Sequence, residues 1–267
     1  MTVINSIEIN NFRGIKQLTV SDFSKINLIV GDNNSGKTTF LEAIQLLFAK
    51  PQLSYVRNVI NQRTILKPNN SFYTSFIKMF NIQHSSDRLE FDIYAHTNNG
   101  PFEFQLSGNE KSVPGDEVLQ ISKMSPRQKI EYRLNSPYIP DTARVFTGSI
   151  AIQNRGKEDE NNISCTSLDD RISGPLVKKE VHYIPSFGHL RYDLIKNIVE
   201  IPDYKQLAIN VLKQFDSSIA DICYTKADDG TFIETIITNK GVNMPFSVYG
   251  DGIKKILFIL NKMVDAT

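Results

Sequence analysis

The stretch that decides the fold is residues 31–38, which read Gly-Asp-Asn-Asn-Ser-Gly-Lys-Thr. It follows an apolar run over residues 25–30 and precedes apolar positions at helical spacing that continue as far as Pro51. The run predicts a buried strand and the spacing predicts a helix, so residues 31–38 are expected to join the two. We call residues 31–38 the phosphate loop, because this sequence in this context is typical of phosphate binding.

Each residue type in the phosphate loop has a chemical reason. Glycines let backbone N–H groups converge on a phosphate, and the following helix adds the positive end of its dipole. Lys37 is expected to reach the outer phosphates of a nucleotide and to be catalytic, and the Thr38 hydroxyl is placed to hold magnesium. The sequence therefore predicts ATP and Mg²⁺ as ligands. The predicted nucleotide-binding residues of the loop are Gly31, Asn33, Asn34, Ser35, Gly36, Lys37, Thr38 and Thr39.

Composition and charge limit what else the chain is expected to do. The 267 residues are 40% hydrophobic and carry a formal net charge of +1, so a core is expected and no overall attraction to nucleic acid. The two cysteines are too few for a disulfide framework, and no run approaches the roughly 18 apolar residues of a membrane span. We expect a cytoplasmic protein without membrane contact, and DNA binding is not indicated by composition.

The pattern along the chain predicts two lobes. Alternating apolar residues over 88–107, interrupted by turn residues 97–101, predict an antiparallel hairpin and thus a β subdomain inserted in the first lobe. Further on, helical periodicity over residues 190–216 is broken at Pro202, strands with turns are expected over 219–248, and a helix from about Asp251. We therefore predict a nucleotide-binding lobe over 1–153, a mobile loop or link over 154–175, and a second lobe over 176–267.

Both ends of the chain resemble one family. Residues 7–14 (IEINNFRG) and 26–44, which include the phosphate loop, resemble the start of the ABC-class ATPases, in the branch of the SMC, Rad50, RecF and OLD-like proteins. Residues 245–257 (PFSVYGDGIKKIL) are similar to the signature segment of the OLD-like ATPases. The resemblance implies an α/β fold of the P-loop NTPase, ABC ATPase-like class, with an antiparallel β subdomain and a second lobe that carries the signature.

The resemblance also implies partners and further site residues. In this family two subunits hold ATP between the phosphate loop of one and the signature of the other, which implies a homodimer. By this resemblance Ser247, Gly250 and Gly252 would contact the partner's nucleotide, and Arg13 would lie near the phosphates or the base. Related ATPases act with effectors such as nucleases, in phage defence or DNA repair, and an effector partner is therefore expected.

The sequence departs from the family pattern at two places. Ser247 does not directly precede the two glycines, and no apolar run ends in the Asp-Glu pair that holds magnesium and activates water. Asp116-Glu117 follows Pro-Gly, and Asp159-Glu160 is expected to lie in a charged loop. The chain thus resembles the front portion of a longer ATPase, and alone it is expected to bind ATP but to hydrolyse it barely above background.

Alternative functions stay open at this point. The missing acidic pair favours a nucleotide-dependent regulatory module that does not hydrolyse ATP, whereas a small-molecule kinase would need an acceptor pocket that no motif indicates. Neither Asn239-Lys240 nor Asn261-Lys262 is followed by the aspartate of a guanine reader, so no preference for GTP is expected. In the family a glutamine couples magnesium to the second lobe; Gln153 is one candidate for it, and the strand that ends at Pro185-Ser186 is an equal candidate for the connecting segment. The four histidines have no metal-ligand spacing.

Overall fold

The computed structural model describes residues 2–64, 71–81, 88–115, 141–167 and 188–265, apart from 191–192, together with positions 117, 130, 181 and 184. The chain divides into two compact units, Met1–Val181 and His182–Thr267. The described elements of the first unit are β1 (Ile4–Phe12), β2 (Ile15–Ser21), α1 (Lys37–Leu47), α2 (Leu53–Thr64), α3 (Phe72–Ile77), β3 (Arg88–Thr97), β4 (Gly100–Pro114), β5 (Thr142–Asn154) and β6 (Lys157–Thr166).

A single antiparallel sheet with the strand order β2-β1-β3-β4-β5-β6 forms the frame of the first unit. The predicted hairpin is confirmed as β3 and β4, which pair from Arg88 opposite Asn109 to Thr97 opposite Gly100. It is not a separate insert, however, because β3 also pairs with β1, for example Ile7 opposite Ala95. The predicted β subdomain is therefore part of the same sheet as the N-terminal strand, and the phosphate loop's helix packs on it.

The core of the first unit lies between one face of this sheet and helices α1 to α3. In β1 the buried Ile7 and Ile9 alternate with the exposed Glu8, as expected of a strand with one face turned to the core. The helices add apolar side chains from the other side, including Phe40 and Leu46 of α1. Aromatic rings fill the centre, and the pairs with ring centroids within 6.0 Å include Phe12–Phe91, Phe76–Phe146, Phe80–Phe91 and Phe91–Phe104.

The prediction of a mobile loop over residues 154–175 is wrong for residues 157–166, which form a strand. Residues 157–166 form β6, an edge strand paired with β5 from Asn154 opposite Lys157 to Val145 opposite Thr166. The side chains of 157–162 are exposed, which is why their composition is polar. Main-chain hydrogen bonds to β5 hold the strand regardless of that composition, and charged residues are common on sheet edges because they discourage further pairing. Positions 168–175 lie outside the described residues.

The apolar run before the phosphate loop is also not the buried strand that its composition predicts. Residues 25–30 are irregular, and Ile26, Leu28 and Val30 are 90%, 87% and 78% exposed. A strand exists only when a neighbouring strand accepts and donates its backbone hydrogen bonds, and no strand of the described ranges pairs with this run. Apolar character was therefore insufficient to define a strand here.

The second unit contains three helices and a three-stranded antiparallel sheet among the residues described from 188 to 265. The predicted break at Pro202 is confirmed, because one helix ends at Glu200 and the next begins at Pro202. No helix in the described parts of the chain is both long and apolar enough to cross a membrane. The elements are α4 (Lys196–Glu200), α5 (Pro202–Lys213), β7 (Ile219–Lys226), β8 (Phe232–Thr238), β9 (Asn243–Pro245) and α6 (Asp251–Asp265).

A half-buried carboxylate joins the sheet of the second unit to its helices. Oε1 of Glu234, on β8, accepts hydrogen bonds from the backbone N–H groups of Leu194 and Ile195, the latter at 3.0 Å, just before α4. Burial raises the pKa of Glu234 above its ordinary value, although the two N–H groups act in the opposite direction. The Glu234 carboxyl group therefore links β8 to the backbone just before α4.

We expect Glu234→Ala to destabilise the second unit by about 1–3 kcal/mol, because two backbone N–H groups lose their acceptor. Glu234→Gln keeps an acceptor oxygen and is the matched control. Since the pKa of Glu234 is raised in the folded state, its protonation stabilises the fold in acid, and this contribution is lost as the pH rises through the folded-state pKa. Hydrogen exchange of the β7–β8 amides between pH 4 and 7 measures both effects. A Glu234→Ala variant as protected as Glu234→Gln would contradict the assignment.

Candidate functional site

The phosphate loop in the structure leads directly into the amino end of α1. Ser35 N–H donates to the carbonyl of Asp32 at 3.2 Å, which closes a turn within the loop. Asn34 has φ +67° and Gly36, the N-cap of α1, has φ +90°, so the backbone passes through the left-handed region twice. The predicted junction of loop and helix is therefore present, whereas the predicted strand before it is not.

Two glycines of the loop have a steric reason to be glycine. Gly36 adopts a φ of +90°, which L side chains rarely adopt. At Gly31 a Cβ atom would lie 2.7 Å from Oγ of Ser35, so that hydroxyl would have to rotate away from its contact with Nζ of Lys37. The loop folds back on itself tightly between these two positions, which brings several of its backbone groups together.

The Lys37 side chain returns over the loop instead of extending into solvent. Its Nζ donates to the carbonyl oxygens of Gly31 and Asp32 at 2.8 and 2.6 Å, and lies 3.3 Å from Oγ of Ser35. All three acceptors belong to the phosphate loop, so the ammonium charge lies within the concave turn. Because an ammonium binds a phosphate oxygen more strongly than a neutral carbonyl, this donor set fits a phosphate group.

The amino end of α1 is suited to an anion. The first turn contains no acidic residue, and Gly36 offers no side-chain cap. The first helical hydrogen bond runs from Phe40 N–H to the carbonyl of Gly36 at 2.9 Å, so the N–H groups before it have no acceptor inside the helix. Thr38 is exposed beside these groups, whereas Thr39 is 7% exposed. Of the two threonines, Thr38 is therefore the one open to a ligand or to the magnesium that accompanies it.

Arg13 lies in the turn between β1 and β2. The resemblance predicts that it is near the nucleotide. Its Nε is 2.8 Å from Oε2 of Glu42 on α1, so the two side chains form an ion pair. The geometry at Nε itself is not that of a hydrogen bond. The two side chains are 12% and 1% exposed. Sequence reasoning missed Glu42, although a signal was present: the helical period places it on the buried face of α1 with Phe40 and Ala43.

The signature-like segment belongs to the second unit. Ser247 is exposed in a 3₁₀ turn over Phe246–Val248, and Gly250 immediately precedes α6, which begins at Asp251. Gly250 and Gly252 are exposed, and a Cβ atom added to either would meet no atom within 4 Å. Among the described residues, the space beside both glycines at the amino end of α6 is therefore open.

The remaining candidates have ordinary surroundings where the structure describes them. Gln153 lies on β5 between Glu103 and Glu158, and Asp159-Glu160 lie on the edge strand β6 rather than in a loop. His96 is exposed, whereas His189 is buried with its Nε2 3.8 Å from Asp251. Within the described ranges no three His, Cys, Asp or Glu side chains are grouped as metal ligands. Asp116, residues 185–186 and two histidines, His84 and His182, lie outside the described residues.

The sequence is similar to a known protein family and to individual known proteins. Residues 3–131 match the AAA ATPase domain family. The chain is 24% identical over 278 residues to an ATP/GTP phosphatase of Helicobacter pylori, an alignment that covers 97% of this chain and 72% of that protein. Over 44 residues it is 48% identical to the DNA replication and repair protein RecF of Idiomarina loihiensis, which covers 16% of this chain and 12% of RecF.

A further similarity covers a shorter part of the chain. An uncharacterized protein of Methanocaldococcus jannaschii is 39% identical over 61 residues, 22% of this chain and 28% of that protein. Together with the loop geometry, these similarities support a P-loop ATPase, a class defined by ATP binding at a loop of this kind. The predicted ATP-binding function is supported at that level.

Proposed function

We propose that this chain is the ATP-binding module of an ABC-class ATPase of the OLD-like branch, and that it binds ATP with Mg²⁺ at the phosphate loop. The observation that carries the proposal is the position of the Lys37 ammonium, which donates to two loop carbonyls within 2.8 Å. A triphosphate would replace those carbonyls with charged oxygens, and the amino end of α1 would add further N–H donors. The exposed Thr38 hydroxyl would hold the magnesium ion.

The module is further proposed to work as a homodimer. Gly250 and Gly252 allow close backbone approach at the amino end of α6, which favours the outer phosphate of a nucleotide. Asp251 in the first turn is acidic, and Nζ of Lys254 lies 3.9 Å from its carboxylate. A second copy would present this segment to the ATP held by the first, so that binding and hydrolysis of ATP control association. An effector protein, such as a nuclease in phage defence or DNA repair, would respond to that change.

The proposed chemistry is transfer of the terminal phosphoryl group to water. Loop N–H groups and Lys37 would stabilise negative charge on the phosphates, and magnesium would neutralise part of it. A carboxylate that activates water is not identified among the described residues. For the isolated chain, a regulatory module that binds ATP without hydrolysing it is therefore the second candidate.

Calorimetric titration of the chain with nucleotides tests the proposal. We expect Mg-ATP to bind and Mg-GTP to bind no more tightly, since the sequence contains no guanine reader. A parallel phosphate-release assay is expected to give turnover close to background, because acid–base groups commonly contribute about 10²–10⁴-fold in rate. The absence of ATP binding, or a clear preference for GTP, would overturn the proposal. Fast turnover that disappears in Lys37→Ala would instead exclude the regulatory alternative.

A further inference from the structure

The turn between β1 and β2 borders the phosphate loop. A Cβ atom placed on Gly36 would lie 3.9 Å from Cγ1 of Ile15, the first residue of β2, so Ile15 flanks the last glycine of the loop. Arg13 stands two residues earlier in the same turn and reaches Glu42 on the helix that the loop opens. The turn therefore approaches the loop and its helix at two separate points.

The turn itself is held in place by the segment that follows α3. Arg13 N–H donates to the carbonyl of Met79 at 2.7 Å, and Asn81 N–H donates to the carbonyl of Asn11 at 2.8 Å. Between them, Phe12 pairs with Phe80 through an isolated β-bridge. Arg13 has φ +53°, a backbone conformation that persists in a non-glycine residue only when its surroundings impose it. The backbone of Arg13 is thus held in place on both sides by the segment that follows α3.

The ion pair itself is buried. With exposures of 12% and 1%, Arg13 and Glu42 have given up most of their hydration, a cost that often cancels the attraction between the charges. A buried pair of this kind is weak evidence for stability, and its best-attested role is to fix one arrangement among alternatives. Removal of one partner takes an opposite charge, 2.8 Å away, from a side chain that has little contact with water, so the two side chains depend on each other.

The place of Glu42 on α1 indicates which arrangement is fixed. Glu42 follows Thr38 by four residues, so the two lie on the same side of the helix in successive turns. Rotation or displacement of α1 would carry Thr38 and Lys37 away from the loop carbonyls that Lys37 contacts. A contact at Glu42 therefore controls the first turn of α1, where a phosphate and its magnesium would bind.

We propose that the buried Arg13–Glu42 ion pair positions the phosphate loop, and that Arg13 acts on nucleotide binding through Glu42 and α1 rather than by contacting the nucleotide. The inference rests on the proposed function for its ligand, ATP. Arg13 and Glu42 are thus both positioning residues. Glu42 lies outside residues 31–38, so the phosphate-loop motif alone does not identify it.

A double-mutant cycle with Arg13→Gln, Glu42→Gln and the double variant tests this role by calorimetric titration with Mg-ATP. We expect each single change to weaken ATP binding by about tenfold and the double variant to bind no more weakly than either single one, as residues that act as one unit do. Glu90→Gln is the matched control, because Glu90 forms an exposed ion pair with Arg88 in the same sheet. Its ATP affinity is expected to equal that of the unchanged protein.

The cycle separates positioning from direct contact. A weaker affinity in Arg13→Gln with an unchanged affinity in Glu42→Gln would mean that Arg13 contacts the nucleotide itself, and would overturn the proposal. Unchanged affinity in both variants would also overturn it, while ATP binding by the unchanged protein would leave the proposed function intact. If a glutamine variant does not fold, Arg13→Lys and Glu42→Asp take its place with the same expected order of affinities.

Hydrogen exchange without nucleotide gives a second readout that does not depend on ATP binding. In both single variants we expect the amides of residues 33–42 to exchange about tenfold faster, whereas those of β7 and β8 in the second unit keep their rates. A general loss of stability in the first unit would accelerate exchange throughout its sheet as well. Faster exchange in β3 and β4 to the same extent as in residues 33–42 would therefore refute a specific positioning role.

Discussion

Replacement of Lys37 by alanine is expected to weaken the binding of Mg-ATP by about 10- to 150-fold, the equivalent of about 1.5–3 kcal/mol for one hydrogen bond to a charged group. The reason is the position of the ammonium, 2.8 and 2.6 Å from the carbonyl oxygens of Gly31 and Asp32. Without it, the loop would present those two carbonyl oxygens to a triphosphate with no cation between them. The remaining N–H donors would then bind the phosphates against this repulsion.

Calorimetry of Lys37→Ala beside Lys50→Ala measures this effect. Lys50 is an exposed lysine just beyond the carboxyl end of α1, so its removal changes the net charge equally but leaves the loop intact. We expect Lys50→Ala to bind ATP like the unchanged protein. If a folded Lys37→Ala protein bound ATP as tightly as Lys50→Ala, the phosphate loop would not be the nucleotide site.

The parts of the fold that the sequence predicts well are those decided by neighbouring residues. Helix α1 begins at Lys37 and ends at Leu47, short of Pro51, because helical spacing and a proline stop are local signals. The hairpin of β3 and β4 follows from alternating residues and a turn rich in Asn and Gly. The loop residues 31–38 belong to the same group, which is why the candidate site was recognisable from sequence.

The parts that the sequence does not predict depend on distant partners. Residues 25–30 have the composition of a buried strand but no strand of the described ranges beside them, and 157–166 have the composition of a loop but a long partner in β5. Strand pairing is decided by what lies next to a segment in space, and composition does not report it. Strand β2 and helices α2 and α3 are not predicted for a related reason, since their weak local patterns are completed by packing on the sheet.

The candidate site repeats this distinction. Lys37 and Thr38 are part of a motif, so their positions followed from spacing, and the structure brings both to the amino end of α1. Arg13 was recognised only by resemblance, and its partner Glu42 lies 29 positions further along the chain, which no spacing rule connects. Resemblance pointed to a residue beside the loop, whereas the structure was needed to find which group it contacts.

A pair of facing glycines in the middle of the sheet carries the largest expected effect on stability. Gly108 of β4 lies opposite Gly148 of β5, and both strands are paired on their two sides. A Cβ atom on Gly148 would lie 2.1 Å from the carbonyl oxygen of Ser107 and 2.7 Å from Cα of Gly108. Both obstacles are backbone atoms of a neighbouring strand, so they can move only if the pairing of β4 and β5 changes.

Gly148→Ala is therefore expected to destabilise the first unit by about 3 kcal/mol, the upper end of the range for overpacked interiors, because no side chain can rotate away to relieve the clash. Gly14→Ala is the matched control, since a Cβ atom there meets nothing within 4 Å. Chemical unfolding followed by hydrogen exchange of β4 and β5 measures the loss, and the amides of β7 and β8 in the second unit provide an internal reference. Gly148→Ala within about 0.5 kcal/mol of Gly14→Ala, the usual limit for harmless surface changes, would mean that the two strands are not in the close contact described.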